Sequence, residues 1–266
     1  MTKNKFLFDK KKIRSNHIKA SKSNSKKTKL FLKLVSDKIT EKILDISNYY
    51  ETVLEIGSRG NHLEESMKKH KLFGSIYKTV TDHNVLYKNA NSIISDIDDI
   101  PFINSSFNLC TSLLSLNNTE NILNTFIQIK NSLKSNGAFI FAITGGSTLH
   151  KLREIFIKTE LERSGKVFPR FIPMTNAERL GTALLKAGFI DPVIDKDFIY
   201  IKHKNTKDLM KDIIACGESN SLFSRSTAFT PRQIIMKVFK NYQTTNQVNI
   251  NEIETRIEVF YITAFK

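Results

Sequence analysis

The stretch Thr52-Val53-Leu54-Glu55-Ile56-Gly57-Ser58-Arg59-Gly60 is the part of the sequence that decides the fold. Its run of branched and apolar residues predicts a short buried strand, and Gly57 marks the point where the chain turns. Residues 63–70 are polar and compatible with a helix, so the whole stretch has the strand, turn and helix of one α/β unit. The same alternation continues to the end of the chain.

Further segments have the composition of strands, at residues 76–81, 92–95, 107–113 and 138–143, and at about 192–201 and 256–264. Helical periodicity lies between them, as in the stripe formed by Ile122, Phe126 and Ile129. Capping-box patterns at Thr175 and Thr230 predict the starts of two later helices. This alternation predicts an α/β fold, a seven-stranded and mostly parallel sheet with helices on its faces.

The residues that follow the predicted strands are the candidates for a ligand site, because ligands bind beyond the carboxyl ends of strands in open α/β sheets. Gly57 stands where the backbone can approach a ligand, and Asp82 follows the second strand 25 residues later. A carboxylate at that spacing suits the two hydroxyls of a ribose. Asp96 follows the third strand, where it can accept a hydrogen bond from an adenine amino group beside the backbone of Ile97.

Several motifs are more particular than this periodicity requires. Residues 145–153 read Gly-Gly-Ser-Thr-Leu-His-Lys-Leu-Arg, residues 100–109 contain Ile-Pro-Phe and Ser-Phe-Asn-Leu, and Phe8-Asp9-Lys10 stands near the start. Together with Leu-Met-Lys-Asp in residues 209–220, they resemble motifs of the class I S-adenosylmethionine-dependent methyltransferases. The similarity runs nearly end to end and is to the branch of the mitochondrial complex I assembly factor 5 and its bacterial relatives.

The resemblance implies a Rossmann-like class I methyltransferase fold with helical lid insertions and S-adenosyl-L-methionine as the cofactor. The residues that it implies for cofactor binding stand at the ends of the first four strands: Glu55, Gly57, Ser58, Gly60, Asp82, His83, Asp96, Ile97 and Leu113. No catalytic residue and no metal ligand is predicted. Methyl transfer from a sulfonium depends on alignment of the acceptor and exclusion of water, so no general base has to be visible.

The first motif departs from the family's pattern Asp/Glu-x-Gly-x-Gly-x-Gly, because Arg59 and Asn61 stand in place of the second and third glycines. Glycine is used there since the backbone must come close to the ligand. Gly60 can take over part of that role, and Asn tolerates left-handed geometry. Arg59 either points outward or faces the carboxylate of the cofactor. After the fourth strand, residues 116–118 read Leu-Asn-Asn, where the family often has Leu-His-Trp. A residue that lines the substrate side in the family is therefore lost in this sequence.

The net charge of +15 is concentrated at the start of the chain, where residues 1–34 hold twelve Lys and Arg and a single Asp. This distribution predicts a basic arm, and we expect no specific nucleic-acid binding. No apolar run is long enough for a transmembrane segment, and Cys110 and Cys216 form no Cys-x-x-Cys pair, which favours a soluble cytoplasmic protein. We expect an arm at 1–48 and a methyltransferase domain at 49–266, with helical insertions at about 148–174 and 206–242.

Two sharper functions follow from the resemblance, and both place a protein or carrier-bound substrate under a lid that the N-terminal arm and the inserted helices form. The first is hydroxylation of an arginine on a complex I subunit in support of assembly. The second is O-methylation of a malonyl group on acyl carrier protein, as in biotin synthesis. A third hypothesis comes from the degenerate first motif: a non-catalytic assembly chaperone that keeps the fold and no longer binds the cofactor.

Overall fold

The computed structural model describes residues 6–85, 91–249 and 252–266, and a mixed sheet forms its centre. The strands are β1 Tyr50–Glu55, β2 Phe73–Val80, β3 Asn91–Ile94, β4 Phe107–Leu113, β5 Leu133–Thr144, β6 Ile190–His203, β7 Gln247–Asn249 and β8 Glu252–Phe265. They are arranged in the order β3-β2-β1-β4-β5-β8-β6, with β7 paired to β8. The first five strands run parallel, and β8 is antiparallel to β5 and β6.

The predicted α/β fold is confirmed, with one difference in the strand count. The described residues form eight strands rather than seven, because the short β7 pairs with the start of β8. The helices are α1 Lys10–Ser21, α2 Lys26–Leu44, α3 His62–Lys69, α4 Ile122–Ser132, α5 His150–Ser164, α6 Ala177–Lys186, α7 Thr206–Ala215 and α8 Arg232–Asn246.

Two apolar layers cover the faces of the sheet. On one face, Val35 and Ile39 of α2 pack in the same buried cluster as Val53 and Leu109 of the central strands. On the other face, Phe126 of α4 and Leu184 of α6 pack with Leu54, Phe139 and Phe141. The basic arm therefore contributes a helix to the core, since the inner face of α2 is apolar while its lysines face outward.

A third cluster joins the inserted helices to each other, and it lies over the carboxyl end of the sheet. It consists of Leu152 and Phe156 of α5, Leu209 of α7, and Ile234, Val238 and Tyr242 of α8, together with Ile253. These are the helices that the sequence predicted as insertions, and we refer to them as the lid. They bury apolar side chains against one another and against Ile253 of β8.

The starts of α6 and α8 differ from the predicted capping boxes. Asn176, not Thr175, caps α6 by accepting a hydrogen bond from the backbone N–H of Arg179. Thr230 makes no cap, because its hydroxyl accepts a hydrogen bond of 2.8 Å from Arg170 Nη1. In both places the threonine lies two positions before the first helical residue; the residue between them is the capping Asn176 at α6 and Pro231, which makes no side-chain cap, at α8.

Within the described ranges, no helix is long and apolar enough to cross a membrane. The same residues bring no three His, Cys, Asp or Glu side chains together in an arrangement suited to a metal ion.

Candidate functional site

The register of the sheet brings the two predicted ligand carboxylates to the same edge. Val80 of β2 pairs with Ile94 of β3, so Asp82 and Asp96, two residues beyond each, follow neighbouring parallel strands at corresponding positions. Strand β1 lies beside β2, and the chain turns at Gly57 just after it. We call the ends of β1, β2 and β3 the carboxylate edge.

Gly57 turns the chain at this edge with a positive φ of 64°. Its N–H donates a hydrogen bond of 2.8 Å to Thr79 Oγ1. A Cβ atom at this position would lie 2.7 Å from Ser115 Cβ and 3.4 Å from Ile97 Cδ1. The turn after β1 thus packs against the ends of β3 and β4, and Leu113 of β4 is buried beneath it at 1% exposure.

Glu55 is fully buried and faces a fully buried lysine that sequence reasoning did not identify. Lys78 Nζ lies 3.7 Å from Glu55 Oε2, 2.7 Å from Glu64 Oε2 and 3.0 Å from Asn61 Oδ1. Burial raises the pKa of Glu55, and the charge of Lys78 opposes that rise. The structure thus places the first acidic residue of the motif inside a buried ion cluster that supports the turn.

Asp82 has one oxygen engaged by local bonds and one oxygen near the arm. Oδ1 accepts hydrogen bonds from the backbone N–H and the side-chain amide of Asn84, at 2.9 and 2.7 Å, and the bond from that N–H is the main reason why the pKa of Asp82 is lowered. Oδ2 lies 3.7 Å from Arg14 Nε. His83 is 72% exposed and its Nδ1 lies 3.3 Å from Asp82, so it borders the edge from the solvent side.

Helix α1 lies across the carboxylate edge. Lys10 Nζ pairs with Asp96 Oδ1 at 2.8 Å and also with Asp98. Arg14 Nε donates a hydrogen bond of 3.1 Å to the carbonyl of Thr81, and His17 Nδ1 lies 3.0 Å from Thr81 Oγ1. The arm therefore occupies the side of the two carboxylates that the sequence assigned to adenosine.

Arg59 links the turn after β1 to the lid. Its side chain is only 8% exposed, and its Nε donates a hydrogen bond of 3.1 Å to Ser115 Oγ. Its Nη1 donates a bond of 3.0 Å to the carbonyl of Cys216 and pairs with Glu218. The residue that replaces the second glycine therefore holds the segment after α7 against the sheet. Of the two orientations that the sequence left open for its side chain, the outward one is wrong.

Two cavities meet at Arg59. The first, about 160 Å³, is bordered by Ser58, Gly60 and His62 and by residues of α1 and α2. The second, about 370 Å³, lies under the lid and is lined mostly by apolar side chains, among them Phe31, Leu114, Phe156, Phe171, Met174 and Ile213. We call the second one the lid cavity. Of the nine predicted cofactor residues, Ser58 and Gly60 border the first cavity, while the carboxylates stand under α1.

The Gly-Gly motif at 145–153 forms the connection from β5 to the lid. The backbone N–H of Ser147 donates a hydrogen bond of 2.9 Å to Glu258 Oε2, and Thr148 Oγ1 donates one of 3.1 Å to the carbonyl of Glu258. A Cβ atom on Gly145 would lie 2.7 Å from Glu258 Cδ. The first glycine of the motif is therefore required by a close approach to β8, and Thr148 borders the lid cavity.

Sequence reasoning did not identify the contacts that Lys10, Arg14, His17 and Lys78 make. The three arm residues belong to a segment whose charge predicted a basic arm, and Lys10 was noted only within the Phe8-Asp9-Lys10 resemblance. Lys78 lies in a strand, where a lysine is usually expected to point to solvent. A signal was present in the buried acid Glu55, because a carboxylate in a strand core requires a cationic partner.

The sequence is similar to three groups of curated proteins. It is 26% identical to the human mitochondrial arginine-hydroxylase NDUFAF5 over 238 residues, which are 87% of this chain and 68% of that protein. It is 29% identical to a Rickettsia prowazekii protein named as a methyltransferase, over 76% of this chain and 89% of that one. A malonyl-[acyl-carrier protein] O-methyltransferase of a Methylovorus species is 22% identical over all of this chain and 92% of that protein. No protein-family model matches the chain.

Solved structures share the architecture at low sequence identity. The YcgJ protein of Bacillus subtilis has a TM-score of 0.59 and 12% identity, over 86% of this chain and 97% of that one. A Bacillus halodurans protein named as a methyltransferase has a TM-score of 0.57 and 13% identity, over 85% and 98%. A Haemonchus contortus phosphoethanolamine N-methyltransferase, in complex with S-adenosylhomocysteine, has a TM-score of 0.50 and 15% identity, over 85% and 52%.

Proposed function

We propose that the chain is an S-adenosylmethionine-dependent enzyme that acts on a protein or carrier-bound substrate, since it has the class I methyltransferase fold and is homologous to arginine hydroxylases and methyltransferases. The fold alone does not fix a reaction, because sites rather than folds carry function. The proposal therefore depends on how well the residues of the two cavities and of the carboxylate edge suit the cofactor and an acceptor.

The observation that carries the proposal is the position of Asp82 and Asp96 at corresponding points of β2 and β3, next to the Gly57 turn. Asp82 keeps Oδ2 available toward a diol, since its other oxygen accepts both bonds from Asn84. Asp96 is a partly exposed carboxylate beside Ile97, whose side chain packs at the turn. These residues fit the ribose and adenine of the cofactor, with Lys10 and Arg14 as competing partners.

The lid cavity supports an acceptor site next to that edge. When bound, the cofactor supplies a methyl group activated by a sulfonium, and the protein has only to align the acceptor and exclude water. Thr144 and Thr148 at the end of β5 border the cavity, as do apolar side chains of α5 and α7. Arg59 stands between the two spaces. We expect the reacting part of the substrate to reach this boundary from the lid side.

Helix α1 has to share or release the two carboxylates for the cofactor to bind as proposed. Lys10 is paired to Asp96 and Asp98 at the surface, where ion pairs contribute little to stability and are weakened by salt. The contacts of Lys10 with these two carboxylates are thus ones that a ligand can replace. A closed arm over bound adenosine would also exclude water from the site.

For the substrate, we propose a subunit of the cell's own complex I as the first candidate, by analogy with the arginine-hydroxylase relatives. Deletion of the gene is then expected to lower the amount of assembled complex I. Mass spectrometry of the subunit's arginines, with and without the gene, separates the two chemistries: a lost oxygen mass supports hydroxylation, and a lost methyl mass supports methylation. Unchanged complex I and an acquired biotin requirement would favour the malonyl-carrier substrate of the other relatives.

Calorimetric titration with S-adenosylmethionine and S-adenosylhomocysteine tests the cofactor directly. We expect both to bind. Absence of heat at about 1 mM ligand, which corresponds to roughly 4 kcal/mol of binding free energy, would contradict the proposal and favour a chaperone that keeps the fold without the cofactor.

A further inference from the structure

Arg59 retains hydrogen-bonding capacity at a buried position. A guanidinium carries five N–H donors in a fixed plane and accepts no bonds. Nε and Nη1 are used by Ser115, the carbonyl of Cys216 and Glu218. Nη2 is buried and has no hydrogen-bond partner among the residues that the structure describes. A buried donor without a partner is unfavourable, so this group will gain from any acceptor that comes within reach.

The position of Arg59 determines which ligands can reach it. The residue borders both the first cavity and the lid cavity. His17, the other titratable group that faces it from α1, stays neutral, because burial and the charge of Arg59 lower the pKa of His17 to about 3. Glu218 is the acidic partner of Arg59 among the described residues. The guanidinium is therefore already paired with one carboxylate, and what it still offers to a ligand is the unpartnered Nη2 donor.

A carboxylate is the anion that best matches this setting. Its two oxygens fit the planar fork of a guanidinium, and a single charge is tolerated beside Glu218 better than the double charge of a phosphate. The apolar walls of the lid cavity also disfavour a strongly hydrated dianion. A carboxylate can come from the amino-acid part of the cofactor or from the acidic end of an acceptor in the lid cavity.

We propose that Arg59 is a carboxylate-binding residue at the junction of the two cavities, in the position where related sequences place a glycine. If the carboxylate comes from the cofactor, the inference rests on the function proposed above. If it comes from an acceptor in the lid cavity, the inference is independent of that function. Arg59 in place of the second glycine of the first motif would then have a function. The turn after β1 contributes a charged side chain there, where a glycine would contribute only its backbone.

The test is a set of titrations on the full chain and on Arg59→Met, which keeps much of the length of the side chain and removes its charge. S-adenosylhomocysteine is compared with 5′-methylthioadenosine, which lacks the carboxylate, and decanoate is compared with decanol. If the cofactor is the source of the carboxylate, Arg59→Met lowers the affinity for S-adenosylhomocysteine about tenfold or more and leaves the affinity for methylthioadenosine unchanged. If the acceptor is the source, binding of decanoate weakens and binding of decanol does not.

Glu218→Gln is the matched control for a purely structural role. It removes the charge that holds Arg59 to the lid segment and keeps the guanidinium, so carboxylate binding should be retained or strengthened. Equal weakening by both variants, or no effect of Arg59→Met on any carboxylate ligand, would overturn the proposal, as would failure of both carboxylates to bind the parent chain. If only S-adenosylhomocysteine fails to bind the parent, the proposed function fails while decanoate still decides the role of Arg59.

Discussion

The carboxylate edge and the lid cavity lie side by side and are built from opposite chemistry. At the edge, charged side chains from distant parts of the sequence meet in pairs, such as Lys10 with Asp96 and Lys78 with Glu55. Under the lid, aromatic and aliphatic side chains of several helices surround a space of about 370 Å³. The edge therefore presents charged and hydrogen-bonding groups, whereas the lid cavity presents mostly apolar surface, with Arg59 at its border.

The two regions are also stabilised by different interactions. The lid helices are held by burial of apolar surface, which tolerates substitutions of similar volume. The edge contains the buried pair of Lys78 with Glu55, and a buried charge is strongly unfavourable once its partner is removed. Substitution within that pair should therefore destabilise the fold more than a substitution of similar volume under the lid, and this asymmetry can be tested from the largest expected effect to the smallest.

Replacement of Lys78 by methionine should have the largest effect. It leaves the fully buried Glu55 and the partly exposed Glu64 without their cation, and the free energy of unfolding should fall by about 3–5 kcal/mol. Denaturant unfolding of the purified variants measures this. Lys38→Met removes an exposed pair with Glu41 and should cost about 0.5 kcal/mol or less. Similar losses in the two variants would show that Lys78 is not a structural centre of the edge.

The contacts of Lys78 are an example of what the sequence alone could not predict. The order of strands and the residues at their ends could be predicted, because short buried strands and the turns after them are local features. The partners of those residues could not. Lys10, Arg14 and Arg59 reach their positions through contacts between residues that are 56 to 159 positions apart. Local composition contains no information on which of many lysines and arginines will fold back onto a given carboxylate.

Asp82→Ala tests the edge as a ligand site. The hydrogen bonds that are lost join Asp82 only to Asn84, two residues further along the chain, so the fold should survive although Asp82 is only 8% exposed. Affinity for S-adenosylhomocysteine should fall roughly tenfold to a hundredfold through loss of a charge-assisted bond to the ribose. Calorimetry measures the change. Asp45→Ala, at the end of α2 and away from the edge, is the control and should bind as the parent does. Unchanged affinity of Asp82→Ala would exclude this residue as the ribose partner.

Ile213→Trp probes the lid cavity. Ile213 lines the cavity from α7, and a larger side chain there should fill part of the space and weaken binding of the neutral apolar dye Nile red about tenfold, a change of roughly 1.4 kcal/mol. S-adenosylhomocysteine should bind the variant as it binds the parent. Ile157→Trp adds the same side chain to the outer face of α5, where Ile157 is 41% exposed, and should leave the dye unaffected. A loss of cofactor affinity in Ile213→Trp would mean that the two regions are not separate.

The smallest effect concerns pH and the contact between α1 and the edge. Burial, together with the charge of Arg59, lowers the pKa of His17 from 6.5 to about 3 in the folded chain. Below about pH 6.5 the unfolded chain takes up a proton at this residue and the folded chain does not, so stability is lost as the pH falls toward 3. Between about pH 7.5 and 5.5, the parent should lose roughly 1 kcal/mol more unfolding free energy than His17→Gln, which cannot titrate.

Because both proteins are unfolded in the same two buffers, the titration of every other group cancels in this comparison, to the extent that the substitution leaves its surroundings unchanged. An equal loss in the parent and in His17→Gln would mean that His17 is protonated, or solvent-exposed, when the chain is folded. That result would place α1 away from Thr81 and leave Asp82 and Asp96 open to solvent. The expected difference would instead show that the loss of stability at low pH comes from the docked arm. S-adenosylhomocysteine should then bind at the edge more readily at pH 5.5 than at pH 7.5. The reason is that protonation of His17 lowers the free energy required to undock α1.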